Sequence, residues 1–197
     1  MGADFAFFSG HKAFAPMGIG FLYGRRSLLD KMPPFLWGGE MITTVGERSA
    51  RPAQLPQKFE AGTPNAAGAF ALVEALRYID GIGYDWIIEH EQTLTRLLLD
   101  GLKAIPRIKI YGNQQCAEDR CGIVSFNCIN VSPAAVSDYL DNNGIAVRAG
   151  SHCALPLMGF LGITASCRAS LSIYNTESDV ELLLEKLRDF SWSGHQA

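Results

Sequence analysis

A change of rhythm near residue 105 limits the fold of this chain more than any other feature of its sequence. Before it lie two helical repeats. In one, Phe70, Val73, Leu76 and Ile79 recur within 66–79. The other spans about 84–104, with Ile87, Ile88, Leu94, Leu97, Leu98 and Leu102 inward. After Pro106 short β-prone runs alternate with helices: strands 107–111 and 122–128, helix 133–142, strand 145–149, helix 153–160, strand 167–173 and helix 177–190. Such alternation predicts an α/β fold. The break divides the chain into lobes 1–104 and 105–197. Hydrophobic residues make up 48% and charged residues 19% of the 197, enough for a packed core.

The first lobe opens with an expected buried strand, Asp4 to Phe8, ending at Ser9. A second strand, Gly18 to Gly24, is punctuated by glycine. A short helix from Arg25 to Met32 stops at Pro33-Pro34. Residues 35–58 hold Gly38-Gly39, Pro52 and Pro56 with little periodicity, and predict a long extended excursion. Pro64-Asn65 and Gly81 mark the start and stop of the 66–79 helix.

Several function classes fall away on composition. The net charge is −3 and no basic run exceeds Arg25-Arg26, which argues against a nucleic-acid partner. No apolar run approaches the roughly 20 residues that span a bilayer, so no membrane partner is expected. The N-terminus lacks the flank and apolar stretch of a signal peptide. Five cysteines, an odd count, suggest free thiols in a reducing, cytoplasmic setting. No Cys-x-x-Cys pair supports a metal site. Cys121, Cys128 and Cys167 read as small buried hydrophobes and Cys116 as a loop residue without a role.

Four short segments carry chemistry. Arg148-Ala149-Gly150-Ser151-His152-Cys153 places a thiol beside a histidine and five residues after an arginine. A thiol attacks as its thiolate, which nearby positive charge favours. A Cys–His couple of this kind also suits a hydrolase or a peroxidase. Ser9-Gly10-His11-Lys12 offers a lysine in a small polar turn. That lysine is either a solvated charge or an amine able to form a Schiff base with an aldehyde cofactor, with Ser9 and His11 as phosphate donors. Gly62-Thr63 precedes a helix, where Thr63 is either an anion-binding hydroxyl or the helix cap. Arg168 opens an apolar strand and requires an anionic partner, a substrate carboxylate or a structural acid.

Together the segments Ser9 to Lys12, Phe59 to Asn65, Gly144 to Cys153 and Cys167 to Leu171 resemble the cysteine desulfurases of the class V aminotransferase fold. The short loop before Cys153 is similar to the SUF-type group, which includes selenocysteine lyases. The resemblance implies a pyridoxal-phosphate-dependent (PLP) transferase fold like that of aspartate aminotransferase, with part of the large domain in 1–104 and a small α/β domain in 105–197. It implies that Lys12 carries pyridoxal 5′-phosphate and that Ser9, His11 and Gly62 line its phosphate. Thr63 would reach the cofactor of a second copy across a homodimer. Arg168 would bind the substrate carboxylate, with Arg148 and His152 lining the loop of the nucleophile Cys153. The implied substrate is L-cysteine or L-selenocysteine. The implied products are L-alanine and a persulfide on Cys153, passed to an acceptor protein for iron–sulfur cluster assembly.

The chain departs from that pattern at its start. In the resembled family the lysine lies near the middle of a chain roughly twice this length, and the upstream half supplies an aspartate for the pyridine nitrogen. Here Lys12 stands near the first residue, and Asp4 is too close to it to match that aspartate. The chain is therefore expected to correspond to a C-terminal half, either active or serving only as a dimerisation scaffold.

Overall fold

The computed structural model describes residues 2–114 and 120–190; Cys116 lies outside them. Contacts divide the chain into two compact units, Met1–Ile82 and Gly83–Ala197.

The first unit begins with strand β1 (Phe5–Ser9), paired antiparallel with β2 (Gly20–Gly24) from Phe5 opposite Gly24 to Ser9 opposite Gly20. Phe8 and Phe21 meet edge to face at 4.2 Å, the favoured geometry of an aromatic pair. Gly20 has no room for a side chain, because a Cβ there would run into the Phe8 carbonyl. A 3-10 turn, Gly10–Ala13, leaves β1, and Gly10 N–H donates to Ile19 O at 2.7 Å to close the loop between the strands. Helix α1 (Arg26–Leu29) follows, then β3 (Ile42–Gly46) and β4 (Ser49–Pro52), a 3-10 turn at Gln57–Phe59 and helix α2 (Ala66–Ile82).

Several expectations for this unit are corrected. β1 is not buried: Phe7 is 83% exposed, because the sheet consists of β1 and β2 alone. Residues 42–52 form an antiparallel hairpin within the expected excursion. Helix α2 runs through Gly81 and stops at Gly83, whose φ of 93° suits glycine. Its apolar residues Phe70 and Val73 are exposed, and Leu72 is the buried one.

The second unit holds α3 (Tyr84–Lys103), β5 (Ile108–Tyr111), β6 (Ile123–Cys128), α4 (Pro133–Asn142), β7 (Arg148–Gly150), α5 (Leu155–Phe160), β8 (Ser166–Ser170) and α6 (Glu177–Asp189). The four strands form one antiparallel sheet in the order β5-β6-β8-β7. Strand residues alternate between faces. Val124, Phe126 and Cys128 of β6, with Cys167 and Ala169 of β8, join the apolar stripes of three helices. These stripes are Leu94, Leu98 and Leu102 of α3, Val136 and Leu140 of α4, and Val180, Leu184 and Leu187 of α6. Burial of a leucine of this kind contributes about 1.5–3 kcal/mol.

Local signals fix the helix starts. Ser132 accepts from Ala135 N–H at the head of α4, with Pro133 in the first turn. Thr176 and Asp179 form a reciprocal capping box on α6. The division between units falls before α3, whereas the sequence rhythm changes after it. The cause is that Leu94, Leu98 and Leu102 belong to the core beneath the sheet. Ile88, expected inward on α3, is exposed. Cys128 and Cys167 are buried as expected, but Cys121 is exposed.

Candidate active site

The site residues fall in two groups, one in each unit. In the first, β1 ends at Ser9 and hands the chain to the 3-10 turn that carries His11 and Lys12. Gly10 is buried, and a Cβ there would press on Ile19 and Ala15. That close fit holds the turn against the strand loop and leaves Ser9, His11 and Lys12 exposed. Among the described residues the Lys12 ammonium has no ion-pair partner.

Gly62 and Thr63 lie just before α2 in the same unit. Gly62 takes a φ of 82° and donates to Gly39 O at 2.9 Å. The cap of α2 is Asn65, whose Oδ1 accepts from Gly68 N–H at 2.9 Å, so Thr63 is not the cap. Asn65 also donates through Nδ2 to Gly18 O at 3.3 Å, and α2 packs against the 3-10 turn of Lys12. One side chain thus ties the helix start to the lysine-bearing hairpin. Sequence reasoning gave Asn65 no such part. Its signal was its place as the last polar residue before the helical repeat.

This donor set fits the two reactive ends of PLP. An exposed amine without an ion-pair partner among the described residues matches the aldehyde, while the exposed Ser9 hydroxyl and His11 imidazole suit the phosphate. Asp4 is in an ion pair with Arg25 at 3.1 Å.

The second group is built on β7 and β8. Arg148 faces Arg168, Ala149 faces Cys167 and Gly150 faces Ser166. Directly opposed residues share a face, and Cys167 points into the core, so both arginines stand on the other face with Ser125 of β6. Arg168 has a buried Nε without a hydrogen-bond partner and forms no ion pair among the described residues.

β7 runs into a turn in which Ala154 N–H donates to Ser151 O at 2.9 Å. Its central residues, His152 (φ 55°) and Cys153 (φ 59°), are both left-handed, the sign pattern of a type I′ turn. Neither is glycine, so each conformation costs about 1–2 kcal/mol and must be held by its surroundings. The His152 ring is held through Nε2, which lies 2.9 Å from Ser166 O and 3.0 Å from Ser166 Oγ. Burial pushes the His152 imidazole below its ordinary range; the Ser166 hydrogen bond opposes this, and Arg168 and Arg148 add to it. Cys153 is exposed at the turn, and Arg148 Nη2 donates to its Sγ at 3.7 Å. A guanidinium N–H on sulfur is an arrangement that stabilises a sulfur anion.

Burial pushes the two core thiols up, Cys167 to about 12 and Cys128 to about 12 with Cys167 adding to the effect. Sequence reasoning missed Ser166, a buried strand residue whose only mark was polarity before the core position Cys167.

An antiparallel sheet backed by helices, with a polar face that carries paired arginines and a thiol turn, defines an α/β fold covering part of the class V aminotransferase domain. The chain belongs to the aminotransferase class-V family, which matches residues 1–183. It is 48% identical over 188 residues to a probable cysteine desulfurase of Staphylococcus aureus (strain COL), across 95% of this chain and 45% of the relative. An apo cysteine desulfurase from Thermococcus onnurineus NA1 superposes with a TM-score of 0.91 at 39% identity, over 95% of this chain and 46% of that one. The cysteine desulfurase CsdA (S-sulfonic acid) from Escherichia coli superposes with a TM-score of 0.88 at 36% identity, over 94% and 45%. The chain spans about 45% of the length of the curated relatives it matches.

Proposed function

We propose that this chain carries the cofactor lysine and the sulfur-accepting cysteine of a PLP-dependent cysteine desulfurase of the SUF type. The observation that carries the reading is the presentation of Cys153, exposed on a doubly left-handed turn with the Arg148 guanidinium on its sulfur. Lys12 would hold the cofactor, with Ser9, His11 and Gly62 at its phosphate and Thr63 serving a second copy in a homodimer. When bound, PLP supplies an electron sink for a carbanion at the substrate Cα.

The chain's own residues divide the remaining work. Arg168 binds the carboxylate of L-cysteine, satisfying its orphaned Nε. Lys12 Nζ removes the proton from the substrate Cα. Cys153 Sγ, as thiolate, attacks the substrate sulfur; an S–S bond forms, the carbon–sulfur bond breaks, and the carbon skeleton leaves as L-alanine. The persulfide on exposed Cys153 is then open to the thiol of an acceptor protein in cytoplasmic iron–sulfur assembly.

Alanine release from L-cysteine in the presence of PLP tests this reading. Lys12→Ala and Cys153→Ala are expected to abolish it. Undiminished release by Cys153→Ala would sink the persulfide role. Release from L-selenocysteine alone would instead assign a selenocysteine lyase.

A further inference from the structure

We propose that Ser166 and His152 form a positioning clamp that holds the Cys153 thiol in its presented geometry. The inference rests on Cys153 as the reacting thiol and adds the device that sets its position.

Ser166 fixes the turn at two points. In the ladder it is the partner of Gly150, the last residue of β7 before the turn. Its carbonyl and hydroxyl also meet the ring of His152, one residue before Cys153. A carbonyl oxygen can only accept, so His152 Nε2 bears the proton and donates. The ring is therefore a spacer between a buried β8 residue and a strained turn. Two consecutive non-glycine residues keep positive φ only when something outside the turn fixes them. Among the described residues the bonds to Ser166 are the only hydrogen bonds of the His152 side chain, whose buried Nδ1 has none. Without the clamp the turn relaxes, and Cys153 leaves the Arg148 N–H.

The test is the rate at which iodoacetamide labels Cys153 in the full 197-residue chain at neutral pH, read by peptide mass spectrometry. His152→Gln keeps an amide N–H near the Nε2 position; His152→Asn is too short to reach Ser166. Cys153 labelling is expected to fall about tenfold in His152→Asn and to stay within about twofold of the parent in His152→Gln. Ser166→Ala, which keeps the carbonyl but loses the hydroxyl, is expected to fall about threefold. Equal rates in the Asn and Gln variants would overturn the clamp.

The core thiols Cys128 and Cys167 report folding in the same spectrum. If His152→Asn exposes them, Ser166→Ala decides, and an unchanged Cys153 rate there overturns the proposal. Labelling needs neither cofactor nor substrate. Undiminished alanine release by Cys153→Ala with the expected labelling order in the His152 and Ser166 variants would therefore reject the persulfide role and leave the clamp standing.

Discussion

Arg148 on β7 stands directly opposite Arg168 on β8, so two guanidinium groups share one face of the second unit's sheet. Like charges directly opposed across a ladder are destabilising. An anion on that face would offset the repulsion, which is the part proposed above for the substrate carboxylate at Arg168. Arg168→Met is expected to raise stability by about 0.5 kcal/mol in low salt. The gain should shrink in about 1 M salt, where charges are screened beyond roughly 3 Å. Urea unfolding at the two salt concentrations measures both. A loss of stability in low salt would mean that Arg168 has an acidic partner.

Among the described residues the thiols divide into two reactivity classes. Cys121 and Cys153 are exposed, whereas Cys128 and Cys167 are buried and pushed up to about 12. A disulfide reagent near pH 8 is expected to modify Cys121 and Cys153 promptly and the core pair only on unfolding. For the core pair the folded value lies above the ordinary thiol value of 9.0, so their contribution to stability is present below that value and is lost as pH rises toward 12. Peptide mapping of the labelled thiols checks the division.

His152 makes stability depend on pH with the opposite sign. Its folded value lies below the ordinary 6.5, so the unfolded chain binds more protons in the window between them. Stability therefore rises with pH through that window and is lost as pH falls below 6.5. His152→Gln is expected to flatten this part of the profile. Urea midpoints recorded from about pH 5 to pH 7 provide the check.

Packing between α3 and α6 leaves no room at Gly101, where a Cβ would run into Leu184. Gly101→Ala is expected to cost about 1–3 kcal/mol despite the better helix propensity of alanine. Thermal unfolding measures the loss; an unchanged midpoint would show that Leu184 can move aside.

The α/β alternation after Pro106 was legible because each element carried its own period. Ser132-Pro133 and Thr176 with Asp179 set the starts of two of those helices in the structure. The β3–β4 hairpin was not legible, because its Glu47-Arg48 turn lacks the Asn-Gly or Asp-Gly signal. Only the β-branched run Ile42-Thr43-Thr44-Val45 hinted at it. The candidate site residues were legible as types at spacings, but their arrangement was not. Arg148 and Arg168 become neighbours only through ladder register, and Ser166 reaches His152 only because Gly150 pairs with it. Asn65 displaced Thr63 as helix cap because the last polar residue before the helix lies nearer its first free N–H groups.

Where the sulfur goes is the most direct measurement. The chain would be incubated with PLP and L-cysteine, its thiols and persulfides blocked, and each cysteine peptide weighed. The expected result is one extra sulfur on Cys153, little on Cys121, which is also exposed, and none in Lys12→Ala. Alanine release with no sulfur on Cys153, or sulfur on Cys121 instead, would contradict the assignment of Cys153 as the acceptor.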